Sequence, residues 1–218
     1  MDRIRTLISV PQPLRDLILT AESLTRLQSF ADVALNEDGR DWTGEELAAH
    51  LPGVEVLITG WGICPLTAEV LASADRLRLI AHAAGSVKHF VSDAVFARGI
   101  TVTHAAGRIA QSVAEYTLLA VLMGLRRLHD LDRQMKAGEV WPPYRELPRY
   151  EIAGKRVGLL GMGYVGRLAA RLFQAVGAEV WAYDPYLSDE QAAALGVRRA
   201  GLHDLLRAGP IVSDHLPV

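Results

Sequence analysis

Three glycines and one acid in the second half of the chain have residue types and spacing suited to chemistry. Gly161, Gly163 and Gly166 fit the pattern G-x-G-x-x-G. They follow a strand-like run, Arg156–Leu160, and precede apolar residues at Val165, Leu168, Ala169, Leu172, Phe173 and Val176, which mark one face of a helix. In a strand–turn–helix unit each glycine has its own task. Gly161 permits the tight turn, Gly163 lets backbone approach a pyrophosphate with no Cβ in the way, and Gly166 allows the helix to pack closely on the strand. The helix start then offers free N–H groups to the phosphates. Gly177 sits where the helix should stop, and Glu179–Tyr183 reads as the next strand, with Asp184 at its end. A carboxylate there can accept hydrogen bonds from ribose hydroxyls and repels a 2′-phosphate, which points to NAD rather than NADP. The expected cofactor contacts are therefore Gly161, Met162, Gly163, Tyr164, Val165, Gly166, Asp184 and Pro185. A three-glycine match alone is weak. Its position between strand and helix, with the acid at the right distance, gives it weight against a plain glycine turn.

The other reactive side chains point to less. His50, His129 and His203 stand among charged neighbours and read as surface residues. His82 and His104 fall near strand ends, where substrate contact is an alternative to packing, and His215 reads as packing at a strand end. No histidine pair has metal-ligand spacing with a supporting carboxylate, so no metal site is expected. Cys64 has no basic neighbour and no second cysteine, which suits a quiet thiol in a reducing compartment. Trp61, between Gly60 and Gly62 at a strand end, either lines a substrate cleft or packs in a loop. The pair Arg126 and Arg127 reads as favourable charge near a helix end rather than a phosphate site.

These residues need a scaffold, and the composition allows one. The 218 residues carry 23 Lys+Arg against 25 Asp+Glu and are 50% apolar, which suits a soluble chain with a sizeable core rather than disorder. That balance, with no basic cluster, argues against a nucleic-acid surface. The longest charge-free apolar run, Tyr116–Leu125, is about half a membrane span, so neither a membrane segment nor a leader is expected and the cytoplasm is the expected place. Strands are expected at Ile4–Val10, Asp32–Leu35, Val54–Thr59, Leu77–Ala83 and Ile100–Thr103. Between them lie helices at Pro13–Gln28, Thr43–Leu51 (Thr43 with Glu46 forming a capping box), Thr67–Ser73 and Asp93–Arg98. Alternation of this kind implies a mostly parallel sheet. Ser112 and Glu115 form a second box, predicting a helix start there. The apolar Tyr116–Leu125 that follows should be buried on all sides, and the helix should run on to Gly138. Residues 138–149, with Trp141, Pro142, Pro143, Tyr144 and Pro148, read as an extended arm or linker, with aromatics that suit packing, a partner subunit being one place for it. Two domains follow, residues 1–105 and 106–218.

The run E-I-A-G-K-R-V-G-L-L-G-M-G-Y-V-G at 151–166, A-Y-D-P-Y at 182–186, S-V-A-E-Y-T at 112–117, the Gly138 and Trp141 pair, and H-L-P at 215–217 resemble the D-isomer-specific 2-hydroxyacid dehydrogenase family. The resemblance implies an α/β protein: a flavodoxin-like substrate domain followed by a Rossmann dinucleotide-binding domain, incomplete at its C-terminal end, with the active site between them. It implies hydride transfer between NAD and a small D-2-hydroxy or 2-oxo acid, in a homodimer. It adds His215, Leu216 and Pro217 to the cofactor contacts and assigns the substrate carboxylate to the backbone of Ala84, Gly85, Ser86 and Val87. Ser86, Lys88 and His104 stand where the family often has glycine, an acid and asparagine, and His82 replaces an arginine found in some phosphoglycerate enzymes. These departures argue against a phosphorylated substrate. The family's catalytic arginine, glutamate and histidine would lie beyond Val218, so no catalytic residue is assigned, and the 218 residues alone are expected to bind NAD without turnover. An NAD-sensing or corepressor-like module without catalysis is the competing expectation.

Overall fold

A computed structural model of the chain describes residues 3–138, 150–209 and 211–216. It separates into two compact units, Met1–Ala106 and Gly107–Val218.

In the first unit, β1 (Ile4–Ile8), β2 (Ala31–Leu35), β3 (Val56–Thr59), β4 (Leu79–His82) and β5 (Thr101–His104) form a sheet of order β2-β1-β3-β4-β5, parallel throughout. This is the flavodoxin-like order. Helices α1 (Gln12–Ile18), α2 (Ala21–Gln28), α3 (Gly44–His50), α4 (Ala68–Leu71) and α5 (Asp93–Ala97) connect the strands. The register sets Leu7 beside Leu57 and Leu57 beside Ile80, so three buried aliphatic side chains cross the sheet in one row. Leu47, Leu51, Leu71, Phe90 and Val95 pack around them. Each such side chain contributes about 1.5–3 kcal/mol through burial.

The second unit begins with α6 (Ala106–Arg126) and α7 (Leu128–Lys136). Next come β6 (Arg156–Leu160), α8 (Tyr164–Ala175), β7 (Glu179–Tyr183), α9 (Asp189–Ala194), β8 (Arg198–Arg199), α10 (Leu202–Ala208) and β9 (Ile211–Asp214). The strand order is β8-β7-β6-β9, again all parallel, matching the first four positions of the 3-2-1-4-5-6 Rossmann order. Val157, Leu159, Val180 and Ala182 form the centre of its core, with Ala169, Ala170 and Phe173 of α8 laid on them. Among the described residues no helix is long and apolar enough to cross a membrane.

The capping box of α3 forms as expected, with Thr43 and Glu46 each accepting from the other's backbone N–H. Three helix expectations are corrected. The single helix over Pro13–Gln28 is two, because Leu19 is extended and the Thr20 hydroxyl captures the Ser23 N–H, starting α2 afresh. Ser112 and Glu115 do not start a helix. They lie inside α6, where Glu115 accepts from the Gln111 amide one turn earlier at 2.7 Å. The start of α6 uses a cap with a different chemistry: His104 Nδ1 accepts the Ala106 N–H at 3.2 Å. The helix also does not run through to Gly138. Arg127 adopts φ 52°, separating α6 from α7, and its guanidinium bonds Asp130 at 2.8 Å.

The expectation that Tyr116–Leu125 is buried all round is also corrected. Leu118, Val121, Leu122 and Leu125 pack on the core, whereas Tyr116 and Leu119 are 69% and 51% exposed. Composition showed an apolar helix but could not show how much of its girth one core would cover. The arm with Trp141, Pro142, Pro143, Tyr144 and Pro148 lies outside the described residues.

Candidate functional site

The three glycines of the second unit differ in what the protein asks of them. Gly161 has φ +87°, and a Cβ there would lie 2.9 Å from the His215 carbonyl oxygen. Its N–H donates to the Tyr183 carbonyl at 2.8 Å, and the His215 N–H donates to the Leu160 carbonyl at 2.7 Å. The turn is thereby seated between the ends of β7 and β9. At Gly166 a Cβ would lie 2.1 Å from the Gly161 carbonyl oxygen, so only glycine lets α8 start this close to the turn. Gly163 has no protein atom within 4 Å of its Cβ position. Nothing in the protein requires glycine there; it leaves an open cradle of backbone at the start of α8, where no side chain caps the helix. Open space, uncapped N–H groups and the positive end of the helix suit a pyrophosphate. The site fits a dinucleotide.

Asp184 does more than sequence spacing suggests. Its Oδ2 accepts the Met162 N–H and its Oδ1 accepts the Tyr186 N–H, both at 2.8 Å. The acid therefore fixes the glycine turn while each oxygen keeps a further lone pair for a ribose hydroxyl. Met162 is buried in the core, so its side chain is not offered to a ligand. Its carbonyl accepts from Arg167 Nε at 2.8 Å, a brace across the first turn of α8 that sequence reasoning missed. Tyr164 is exposed, with its ring over Gly107, and Val165 packs against the core. Pro185 is exposed beside Asp184. Leu216 reaches within 3.2 Å of the Gly161 Cβ position. The half-buried His215 ring shares a hydrogen bond with Ser213 Oγ at 3.1 Å, and burial lowers its pKa against the opposing pull of Asp214. Pro217 lies outside the described residues. A pocket of about 320 Å³ lies against Asp184, lined also by Tyr183, Pro185, Asp189 and Arg199. Arg199 is already paired with Asp189 at 2.9 Å, so a 2′-phosphate there would meet two carboxylates and one committed guanidinium.

The first unit presents a different feature at the end of β4. None of the N–H groups of Ala84, Gly85, Ser86 and Val87 has an acceptor among the described residues. Their carbonyl side is engaged: Ala84 accepts from Ala105, and Val87 accepts from Phe90 and Val91. A run of donors with no partner is a place for an anion. Gly85 leaves open space at its Cβ position, and the Ser86 hydroxyl accepts the Lys88 N–H at 3.4 Å.

Beneath this loop His82 is 2% exposed. Its Nδ1 and the Thr59 hydroxyl share a hydrogen bond of 2.8 Å, while Nε2 has no partner. Burial first, then His89 and His104, lower its pKa, so it is a neutral histidine. It is not offered to a ligand from this position. His104, the other histidine weighed for substrate contact, spends Nδ1 on the start of α6. Burial raises the Cys64 thiol, in keeping with a quiet cysteine.

A parallel sheet in Rossmann order, a glycine cradle at a helix start and an acid at the end of the next strand define a dinucleotide-binding protein. Residues 118–218 match the D-isomer specific 2-hydroxyacid dehydrogenase, NAD binding domain, and this stretch of the chain belongs to that family of domains, whose cofactor is NAD. It is 36% identical over 180 residues to a D-3-phosphoglycerate dehydrogenase of Mycobacterium leprae, covering 83% of this chain and 33% of that protein. It is 29% identical over 211 residues to a glyoxylate reductase of Thermofilum pendens, covering 92% of this chain and 60% of that one. The crystal structure of the PH0520 protein of Pyrococcus horikoshii superposes with a TM-score of 0.78 at 25% identity, covering 100% of this chain and 63% of that one. The chain thus spans about a third of the length of the phosphoglycerate dehydrogenase.

Proposed function

We propose that this chain provides the cofactor and acid-binding parts of an NAD-dependent oxidoreductase acting on a small D-2-hydroxy or 2-oxo acid. The observation that carries the reading is the run of partnerless N–H groups at Ala84, Gly85, Ser86 and Val87. Four neutral donors can hold a carboxylate without a dedicated cation. NAD accepts or donates the hydride when bound. The chain's own part there is positional: Gly161, Gly163 and Gly166 with the start of α8 hold the pyrophosphate, Asp184 with Pro185 beside it holds the adenosine ribose, and His215 and Leu216 line the cofactor cleft. The names of the relatives, a phosphoglycerate dehydrogenase and a glyoxylate reductase, support an acid of this class without choosing one. Val113, Tyr116 and Leu119, spaced at three and exposed on α6, support a homodimer formed through that helix.

The test is calorimetric titration of NADH, then of glyoxylate onto the NADH complex. Both should bind, and Gly85→Asp, which places a carboxylate in open space beside the donors, should remove glyoxylate while leaving NADH. Retention of glyoxylate by Gly85→Asp, or no acid binding by the unaltered chain, overturns the reading.

A further inference from the structure

Four arginines come together at the β8 edge of the second sheet. Arg156 opens β6, Arg198 and Arg199 form β8, and Arg207 stands in the last turn of α10. The register brings them together. Arg156 stands two residues before Gly158, Gly158 pairs with Trp181, and Trp181 pairs with Arg198. Residues in register share a face, as do residues two apart on a strand, so Arg156, Trp181 and Arg198 lie on one face. Helix α10 covers part of that face, where a Cβ on Gly158 would lie 2.5 Å from the Leu205 side chain.

Trp181 is buried, and the guanidinium carbons of Arg198 and Arg156 lie 4.1 and 5.0 Å from its ring centroid. Its indole N–H donates to Glu179 at 2.8 Å, which fixes the ring. A guanidinium stacked on an aromatic face keeps the edge of its N–H fork for an oxyanion. Beside the ring is a cavity of about 430 Å³, lined by all four arginines, Trp181 and one acid, Asp204. Arg199 is paired with Asp189 at 2.9 Å and Arg156 with Glu179 at 3.5 Å. Among the described residues Arg198 makes only its ring contact, and Arg207 makes no hydrogen bond or ion pair.

Covering an indole takes aliphatic stems, which one arginine supplies. It does not call for four cations around one cavity, and their mutual repulsion opposes that arrangement. A concave wall of one sign concentrates counter-ions instead. Arg199, Ala200 and Gly201 also border the pocket at Asp184, but Arg156, Trp181, Arg198, Asp204 and Arg207 line this cavity and not that pocket. Arg156 and the glycine turn stand at opposite ends of β6. The cavity is thus separate from the cofactor's place.

We propose that this cavity binds a small phosphate-bearing anion with more than one negative charge, gripped by Arg198 and Arg207 with Arg156 behind them. A phosphate group brings close to two charges and three acceptor oxygens, which answers several guanidinium forks better than one carboxylate does. The acids close by, Glu179, Asp189 and Asp204, keep the positive ground local. That suits a small anion and not the long backbone of a nucleic acid.

Inorganic pyrophosphate, inorganic phosphate and acetate are titrated by calorimetry into the full chain saturated with NADH, which keeps them from the glycine turn. Pyrophosphate should bind more tightly than phosphate, and acetate should not bind. Arg198→Gln with Arg207→Gln should weaken pyrophosphate at least about tenfold. Arg207→Gln alone, at an exposed side chain, should weaken it at least about threefold with the melting temperature unchanged. Arg26→Gln with Arg171→Gln, which removes the same charge elsewhere, should leave it within about twofold. No binding by the unaltered chain, equal binding by the Arg198 and Arg207 variants, or an equal loss in the Arg26 and Arg171 variant overturns the site. Tighter binding of oligothymidylate than of pyrophosphate, lost with Arg198 and Arg207, makes this a nucleic-acid surface and overturns it as well.

Discussion

A Cβ placed on Gly166 would lie 2.1 Å from the carbonyl oxygen of Gly161, whereas one placed on Gly163 would meet no protein atom within 4 Å. The two positions therefore separate structure from binding. Gly166→Ala should destabilise the second unit by about 1–3 kcal/mol, because backbone must shift to relieve the overlap. Gly163→Ala, at a φ of −74° that alanine adopts freely, should change stability by less than about 0.5 kcal/mol. Chemical denaturation of the two variants, followed by far-UV circular dichroism, checks the contrast. Equal stability losses would show that the turn is held otherwise.

Asp184 joins the turn to the cofactor's adenosine end, so its removal should act on both. Asp184→Ala leaves the Met162 and Tyr186 N–H groups without their carboxylate, at about 0.5–1.5 kcal/mol for each lost bond. NADH affinity should fall about tenfold or more, and the preference for NADH over NADPH should shrink because a repelling charge is gone. Fluorescence titration with both cofactors measures this. An unchanged ratio would mean that Asp184 acts on the turn alone.

His82 gives the first unit a pH dependence of definite sign. Its folded pKa is lowered from 6.5, chiefly by burial. Between the ordinary value and the folded one, the unfolded chain binds a proton that the folded chain does not. Stability is therefore full above about pH 6.5 and falls as pH drops through the folded pKa. His215, also lowered by burial, adds in the same direction. Proton NMR of the imidazole carbons should show His82 titrating below the ordinary histidine value. Titration of His82 at or above the ordinary value would contradict its neutrality.

Much of this was legible in the sequence, for physical reasons that also mark where legibility ended. Parallel strands buried on both faces, such as Val56–Thr59 and Arg156–Leu160, leave apolar runs bounded by turn residues, and both appear where the pattern places them. The glycine turn was legible because its three glycines and Asp184 are local to one strand–helix–strand unit. The break at Thr20 and the start of α6 were missed, because helical propensity continues across both and the deciding groups are single side chains. One is a threonine hydroxyl, the other an imidazole. Arg167 and Arg199 were missed because their partners, a carbonyl five residues back and an acid on α9, follow no recognised motif. The partnerless state of the Ala84–Val87 donors is a property of folded backbone that side-chain identities do not encode.

The open face of α6 supports association through Val113, Tyr116 and Leu119. Tyr116→Asp with Leu119→Asp should turn a dimer into a monomer without unfolding it, since neither side chain is in the core. Sedimentation equilibrium at micromolar concentration gives the answer. A mass unaltered by the double substitution places the interface elsewhere or denies it.

The central claim is that the backbone at Gly163 is open because a dinucleotide's pyrophosphate occupies it. The most direct measurement is the dissociation constant of NADH for the unaltered chain and for Gly163→Val, by calorimetry, with thermal melts of both. The account predicts that NADH binds the unaltered chain, that Gly163→Val loses at least about tenfold in affinity, and that melting temperature hardly moves, since a Cβ at this position meets no protein atom within 4 Å. Equal NADH binding by Gly163→Val, or no binding by the unaltered chain, would contradict it.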